Sequence, residues 1–434
     1  MKLNYGKTVL VGLAFLTISA FWQLYDFIVP LILKNTFGVS DTWAGFIMSA
    51  DNIFALFMLP LFGLLSDKTH TRFGRRMPYI IIGTVAAVVF MMGIPFAAHT
   101  RLLWLFIAAL GLVLVSMSVY RSPAVALMPD VTPKPLRSKG NAVINLMGAL
   151  GGALILLLNA FLAPDSKSAD ANYWPIFITV AVIMAAGVLA VVLTVNEPRL
   201  VKKMRQDSAA MGIDAEEASE APEAKTISYR MPSAVRASMI LILVSIFLWF
   251  MGYNAVTTAF SKYAVNALGL AEGQASLILM VAVVAATVAF LPVGIISSRV
   301  GRRKSILFGV VLLTASFGTA ALYTAYSPLM YVNFAMAGIA WACINVNSLP
   351  MVLEMSKGAN VGKYTGYYYT FSMAAQVVTP IVSGALLEHV GYFTLLPYSA
   401  FFVALAFITM LFVRHGDSRP TKPASKLEAL GTGD

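Results

Sequence analysis

Twelve apolar runs, each long enough to cross a bilayer, limit what this chain can fold into more than any other feature. They lie near residues 8–33, 43–66, 78–98, 102–127, 140–162 and 174–195. After a polar break come 237–261, 275–297, 305–325, 329–353, 364–388 and 393–413. About 20 mostly apolar residues make a membrane helix. In lipid a span of this kind must satisfy every backbone group within itself, which a helix does. The expected fold is an all-α polytopic membrane protein with twelve transmembrane helices in two six-helix halves. The halves are placed at 1–196 and 237–413, with a linker over 197–236 and a tail over 414–434. Composition points the same way: 12% of residues are charged and 59% hydrophobic, where a soluble domain carries about 25% charged residues.

The basic residues orient the chain. Of its 31 Lys and Arg, all but five fall in the termini, the linker and the loops of one side. The opposite side holds Lys34, Arg101, Lys167 and Lys262, and Arg121 lies within a span. By the positive-inside rule both termini are expected in the cytoplasm, with the protein in the cell (inner) membrane. The net charge of +11 then reflects membrane orientation, and nucleic acid is not an expected partner. The apolar run that follows Met1-Lys2 is read as a retained first helix, because no small-residue cleavage site follows it. The linker runs basic, acidic and basic again, which suits a cytoplasmic tether with a short amphipathic helix. Cys343 is the single cysteine and can form no internal disulfide.

The two halves repeat one another. Gly63-Leu-Leu-Ser-Asp67-Lys-Thr-His-Thr-Arg72-Phe-Gly74-Arg75-Arg76 returns in shorter form as Gly294-Ile-Ile-Ser-Ser-Arg299-Val-Gly301-Arg302-Arg303. In the first span of each half, Trp22, Tyr25, Asp26 and Lys34 match Phe250, Tyr253, Asn254 and Lys262 in spacing. Spans four and ten echo each other as Tyr120-Arg121-Ser-Pro123 and Asn347-Ser-Leu-Pro350. Internal repeats of this kind build secondary transporters, whose substrate sits near the midplane between the halves. No P-loop, catalytic triad or cysteine pair is present, and the four histidines lack metal-ligand spacing. No enzyme activity, cofactor or metal is therefore expected.

Asp26, Asp51 and Arg121 lie inside spans, where an ionised group costs about 2.5–3.5 kcal/mol on insertion scales. Such residues face a bundle interior or a water-filled cavity. An apolar setting favours a neutral carboxyl and a nearby cation favours a carboxylate, so Asp26 and Asp51 are the candidates for proton coupling. The alternative is a static pair of either aspartate with Arg121. Trp22 and Tyr25 share one face and Gln23 and Asp26 an adjoining one. Aromatic rings beside amides and carboxylates suit a sugar, apolar on its faces and polar at its rim. The candidate substrate-binding set is Trp22, Gln23, Tyr25, Asp26, Tyr120, Arg121, Asn145, Tyr253, Asn254, Asn345, Asn347 and Gln376. Tyr364, Tyr367, Tyr368 and Tyr369 read as an interfacial belt. Asp67, Arg72, Gly74, Arg75 and Arg76 form a candidate gating loop, with Asp67 pairing to arginine or capping a helix.

The twin loops, the twelve spans and the central linker resemble the major facilitator superfamily. The longer first loop, continuing Arg75-Arg76-Met-Pro78-Tyr79, is similar to that of the sucrose transporters and the glycoside–pentoside–hexuronide:cation symporters. The resemblance implies a sugar:cation symporter. Arg121 matches an arginine implicated in sugar binding in the sucrose carriers, and Asp26 a sugar-binding aspartate of the melibiose branch. The two sodium-binding aspartates of that branch fall on Ala55 and Leu59, which favours protons over sodium. Gly148-Ala-Leu-Gly151-Gly152-Ala lacks the proline of the drug-exporter Gly-Pro-Gly motif. The expectation is proton-coupled symport of a sugar or glycoside, an α-linked disaccharide among the options, by a monomer in the lipid bilayer. Proton-coupled export of amphiphilic drugs or metabolites is the alternative, and a transport-inactive sensor a third.

Overall fold

The structure is a computed structural model that describes residues 4–133, 136–168, 171–210, 232–355 and 361–417. It is all-helical over those residues. The first half comprises α1 (Tyr5–Leu31), α2 (Asp41–Lys68), α3 (Met77–Met91), α4 (Gly93–Thr100), α5 (Leu103–Val131), α6 (Arg137–Leu162) and α7 (Trp174–Thr194). A further helix, α8 (Glu197–Ala210), packs against α5. The second half comprises α9 (Ser233–Asn266), α10 (Glu272–Val300), α11 (Arg302–Ala320), α12 (Leu329–Glu354), α13 (Val361–His389) and α14 (Leu395–Leu411). Helices α3 and α4 together make one span, broken at Met92. The acidic stretch of the linker, 211–231, and the tail from 418 lie outside the described residues.

Eleven of the spans are long and apolar enough to cross a membrane on length and composition alone. The twelfth, α11, has 19 residues and opens with Arg302, Arg303 and Lys304, which shortens its apolar part. It packs between α12 and α14 as the other spans do, so packing completes a membrane protein of twelve spans. The repeat seen in the sequence is also a repeat of contacts. Helix α1 lies on α6 and α7 as α9 lies on α13 and α14, and α5 lies on α2 and α3 as α12 lies on α10 and α11. The halves meet through α2–α13, α6–α10 and α1–α9.

Call the end where α1 begins and α14 finishes the terminal end and the other the far end. The halves touch at the far end. A Cβ on Gly45 of α2 would lie 2.0 Å from the Pro380 carbonyl oxygen of α13. One on Gly273 of α10 would lie 2.6 Å from the Ala160 carbonyl oxygen of α6. Only glycine permits backbones that close. Toward the terminal end α2 is largely uncovered, with Phe57 and Leu64 69% and 60% exposed. Among the described residues the hydrogen bonds and glycine contacts between the halves lie toward the far end, and the bundle is closed there.

Candidate functional site

Proline places the first site residue. Pro30 lies inside α1 and removes the N–H that would bond the Asp26 carbonyl. A turn of π-helix, Ile32–Thr36, follows. The neighbouring Tyr25 is buried, and its hydroxyl donates to the Met48 carbonyl of α2 at 3.2 Å. That bond brings Asp51, one turn further along α2, level with Asp26. Among the described residues the Asp26 carboxylate makes no hydrogen bond or ion pair. It lies within electrostatic reach of Asp51 and of Tyr253 on α9. Asp51 accepts from Asn52 Nδ2 at 2.8 Å.

Arg121 on α5 makes no salt bridge among the described residues. Its guanidinium stands over the Trp22 ring, 5.6 Å from the centroid, and within electrostatic reach of Asp51 and Tyr369. The static ion pair considered from the sequence is not the arrangement found. Desolvated cation–π contacts are worth up to about 2 kcal/mol, and this one leaves the guanidinium edge free for a ligand. Trp22 meets Tyr25 edge-on at 5.5 Å, and its Nε1 is buried with no partner among the described residues. On the facing half Tyr253 stacks flat on Trp341 of α12, centroids 3.7 Å apart, and Phe250 meets the same indole edge-on. Asn254 Nδ2 is likewise buried without a partner among the described residues.

The remaining candidates divide. A Cβ on Gly152 would lie 3.6 Å from Gln23 Oε1, so Gln23 faces α6. Asn145 and Gly152 are seven residues apart and share that face, and Asn145 is exposed. Asn345 is exposed on α12, and Gln376 Nε2 donates to the Ser372 carbonyl in its own helix at 3.3 Å. Two residues lie elsewhere than the sequence suggests. Tyr120 is fully buried, with its hydroxyl 2.6 Å from Thr17 Oγ1 and 2.9 Å from the Ala14 carbonyl. It fastens α5 to α1. Asn347 Nδ2 donates to the Cys343 carbonyl at 2.9 Å, so its amide is spent inside its helix. Of the tyrosine belt, Tyr368 is buried while Tyr367 and Tyr369 are exposed. Tyr368 contacts Ser348 at 3.2 Å, and Tyr369 lies within electrostatic reach of Arg121.

The loop at 63–76 ties one half together instead of joining two. Arg76 is buried and pairs with Asp67 and, at 2.8 Å, with Asp130. Arg75 pairs with Asp130 at 2.7 Å. The start of α3 is capped by Glu197, not by Asp67. The Glu197 carboxylate accepts from the backbone N–H groups of Arg75, Arg76 and Met77 at 2.8–3.1 Å. Gly74 has φ +109°, and a Cβ there would meet that carboxylate at 2.3 Å. Arg72 stays outside the cluster and lies over the Phe73 ring. The second half repeats the device: Gly301 at φ +106°, and Asp417 accepting from the Arg302 N–H at 2.6 Å. Acids just after the last span of each half are the signal that reading the loops alone missed.

The far end carries a lock that sequence reasoning did not assemble. Asp41, 1% exposed, accepts from Lys34 and Lys262, each at 2.8 Å, and from Tyr392 at 3.0 Å. Lys262 and Tyr392 belong to the other half. Glu272, which opens α10 as Asp41 opens α2, is buried and accepts from the Ser166 N–H at 2.7 Å across the halves. Lys167 donates to the Val265 carbonyl and Glu388 accepts from the Thr42 N–H, also across them.

Known proteins share this architecture. The family profile described as Major Facilitator Superfamily matches residues 11–286 and 242–432. A Sucrose transport protein of Arabidopsis thaliana is 28% identical over 153 residues, 31% of this chain and 25% of that protein. The Isoprimeverose transporter of Lactiplantibacillus pentosus is 24% identical over 290 residues, 64% of this chain and 56% of that protein. The chain thus spans a quarter of one relative and just over half of the other. The solved xylose transporter XylE of E. coli, in an inward open conformation, superposes with TM-score 0.67 at 16% identity, covering 98% of both chains. Nucleoside transporter NupG gives TM-score 0.67 at 15% identity. With twin six-span halves, paired Gly-Arg-Arg turns and a profile match along nearly its whole length, the chain belongs to the Major Facilitator Superfamily.

Proposed function

We propose that this protein is a proton-coupled symporter that carries a sugar or glycoside by alternating access, seated in the cell (inner) membrane with its termini and linker in the cytoplasm. One observation carries the reading: Asp26 lies within electrostatic reach of Tyr253 of the other half, beside an aromatic wall, with a carboxylate that makes no hydrogen bond or ion pair among the described residues. Asp26 and Asp51 are assigned the proton. Arg121 over Trp22 binds sugar hydroxyls with the guanidinium edge, while the Tyr253–Trp341 stack and Trp22 line the apolar faces. The unpartnered Trp22 Nε1 and Asn254 Nδ2 supply further donors, and Gln23, Asn145, Asn345 and Gln376 frame the route. Tyr25 holds α1 to α2 beneath the site. The sucrose and isoprimeverose transporters among the relatives support the substrate class, since each names a glycoside.

In this assignment the structure is the inward-open state. The 63–76 loop acts as a strut that moves with the first half, and gating occurs by rocking of the halves. The test is proton flux in proteoliposomes against a panel of mono- and disaccharides. Sugar addition should alkalinise the outside. Asp26→Asn should abolish uphill accumulation while sparing exchange. Uphill accumulation at the wild-type rate by that variant would refute the role of Asp26. A response to amphiphilic drugs with no sugar-driven proton signal would favour the export reading instead.

A further inference from the structure

Helices α10 and α12 touch near mid-membrane, where a Cβ on Gly338 would lie 2.1 Å from the Ala282 carbonyl oxygen. Helices α11 and α12 touch at Gly309, where one would lie 2.7 Å from Cys343 Cβ. Between α10 and α11, with α12 as its floor, runs a groove of about 580 Å³ on the outside of the bundle, away from the site above. Val288, Pro292 and Ile296 form one bank, Phe308 the other, and Cys343 lies in the floor. The groove follows α10 from Ala285 to Val300, roughly 22 Å of helix. The hydrocarbon of one leaflet is about 15 Å deep, half the usual core. An acyl chain therefore fits along it.

Among the described residues the only charged group in its lining is Lys304, at the terminal end. The two cations before it are engaged: Arg302 pairs with Glu354, and Arg303 donates to the Leu411 carbonyl at 2.7 Å. Lys304 is exposed and makes no hydrogen bond or ion pair among the described residues. The fold does not require a cation there. Aligned on Gly-Arg-Arg, the first half has Met77 at this position, buried at 2% exposure. An apolar slot of leaflet length that ends in a free ammonium is complementary to an anionic phospholipid. We propose that a phospholipid with an anionic headgroup occupies this groove, one acyl chain between α10 and α11 and its phosphate on Lys304. The proposal does not depend on the identity of the transported substrate.

Titration of the purified full chain with phosphatidylglycerol and phosphatidylcholine of matched chains, read by native mass spectrometry, tests it. Phosphatidylglycerol should bind about fivefold tighter, as one lysine near a headgroup supports. Lys304→Gln should erase that preference and Lys304→Arg keep it. Val288→Trp, at an exposed position that tolerates bulk, should fill the slot and weaken both lipids. Equal binding of the two lipids by wild type, or a preference that survives Lys304→Gln, would overturn the proposal. So would wild-type affinity in Val288→Trp, because the headgroup alone would then account for binding.

Discussion

Arg121 shows how one side chain changes meaning when its surroundings are known. In the sequence it is a buried cation in search of a carboxylate. In the structure it lies over Trp22, within electrostatic reach of Asp51 and Tyr369. A planar guanidinium stacks and still donates through its edge, which an ammonium cannot do. Arg121→Lys is therefore expected to raise the KM of the sugar-driven proton signal about 5- to 30-fold, from loss of about 1–2 kcal/mol. The unfolding midpoint should change little, and flux assays with thermal unfolding in detergent check both. An unchanged KM would remove Arg121 from the binding surface. Trp22, Tyr25 and Asp26 were legible because a repeated spacing marks them. Trp341 was not, because nothing in span ten distinguishes a Trp that backs a Tyr from one that fills a core. Tyr120 was misleading for the reverse reason: its hydroxyl is used by Thr17 and Ala14, more than a hundred residues away.

At the scale of helices, the loops act through caps that lie far off in the chain. An anion at a helix N-terminus contributes up to about 2 kcal/mol when partly buried, and Glu197 serves three N–H groups at 1% exposure. Glu197→Gln keeps an acceptor but loses the charge. It is expected to lower the unfolding midpoint more than Asp417→Asn, whose carboxylate serves the Arg302 N–H. Thermal unfolding of the two variants side by side measures this, and a larger effect at Asp417 would contradict it. The Gly-Arg-Arg spacing made the turns visible in advance. The direction of their arginines was not visible, because Asp130 and Glu197 come from other helices. The span α11 was placed by its packing as much as by its hydropathy, since three cations shorten it.

For the whole molecule, the far-end lock joins the two halves through one buried carboxylate. Two lysines share Asp41, one from each half. Leaving buried charges without their partner costs about 3–5 kcal/mol, an upper range here because Lys34 keeps contact with water. Asp41→Asn should then move the population toward a far-side-open state by a factor of ten or more, where each tenfold is about 1.4 kcal/mol. Spin labels at Gly38 and Val390, on far-end turns of the two halves, should show a longer distance in the variant than in wild type. An unchanged distribution would mean that the glycine contacts of α2–α13 and α6–α10 close that end without the lock.

The sequence by itself determined the number of spans, the duplication and the family loop. These follow from apolar length, local spacing and charge asymmetry, all of which are written along the chain. It did not determine which aspartate stays unpaired, which tyrosines are spent in packing, or that Asp41 and Glu272 join the halves. Those depend on partners that only folding brings together. It also left open which end is closed, because local spacing along the chain does not say how the two halves pack together. Contacts between the halves, rather than propensity within them, select the packing observed.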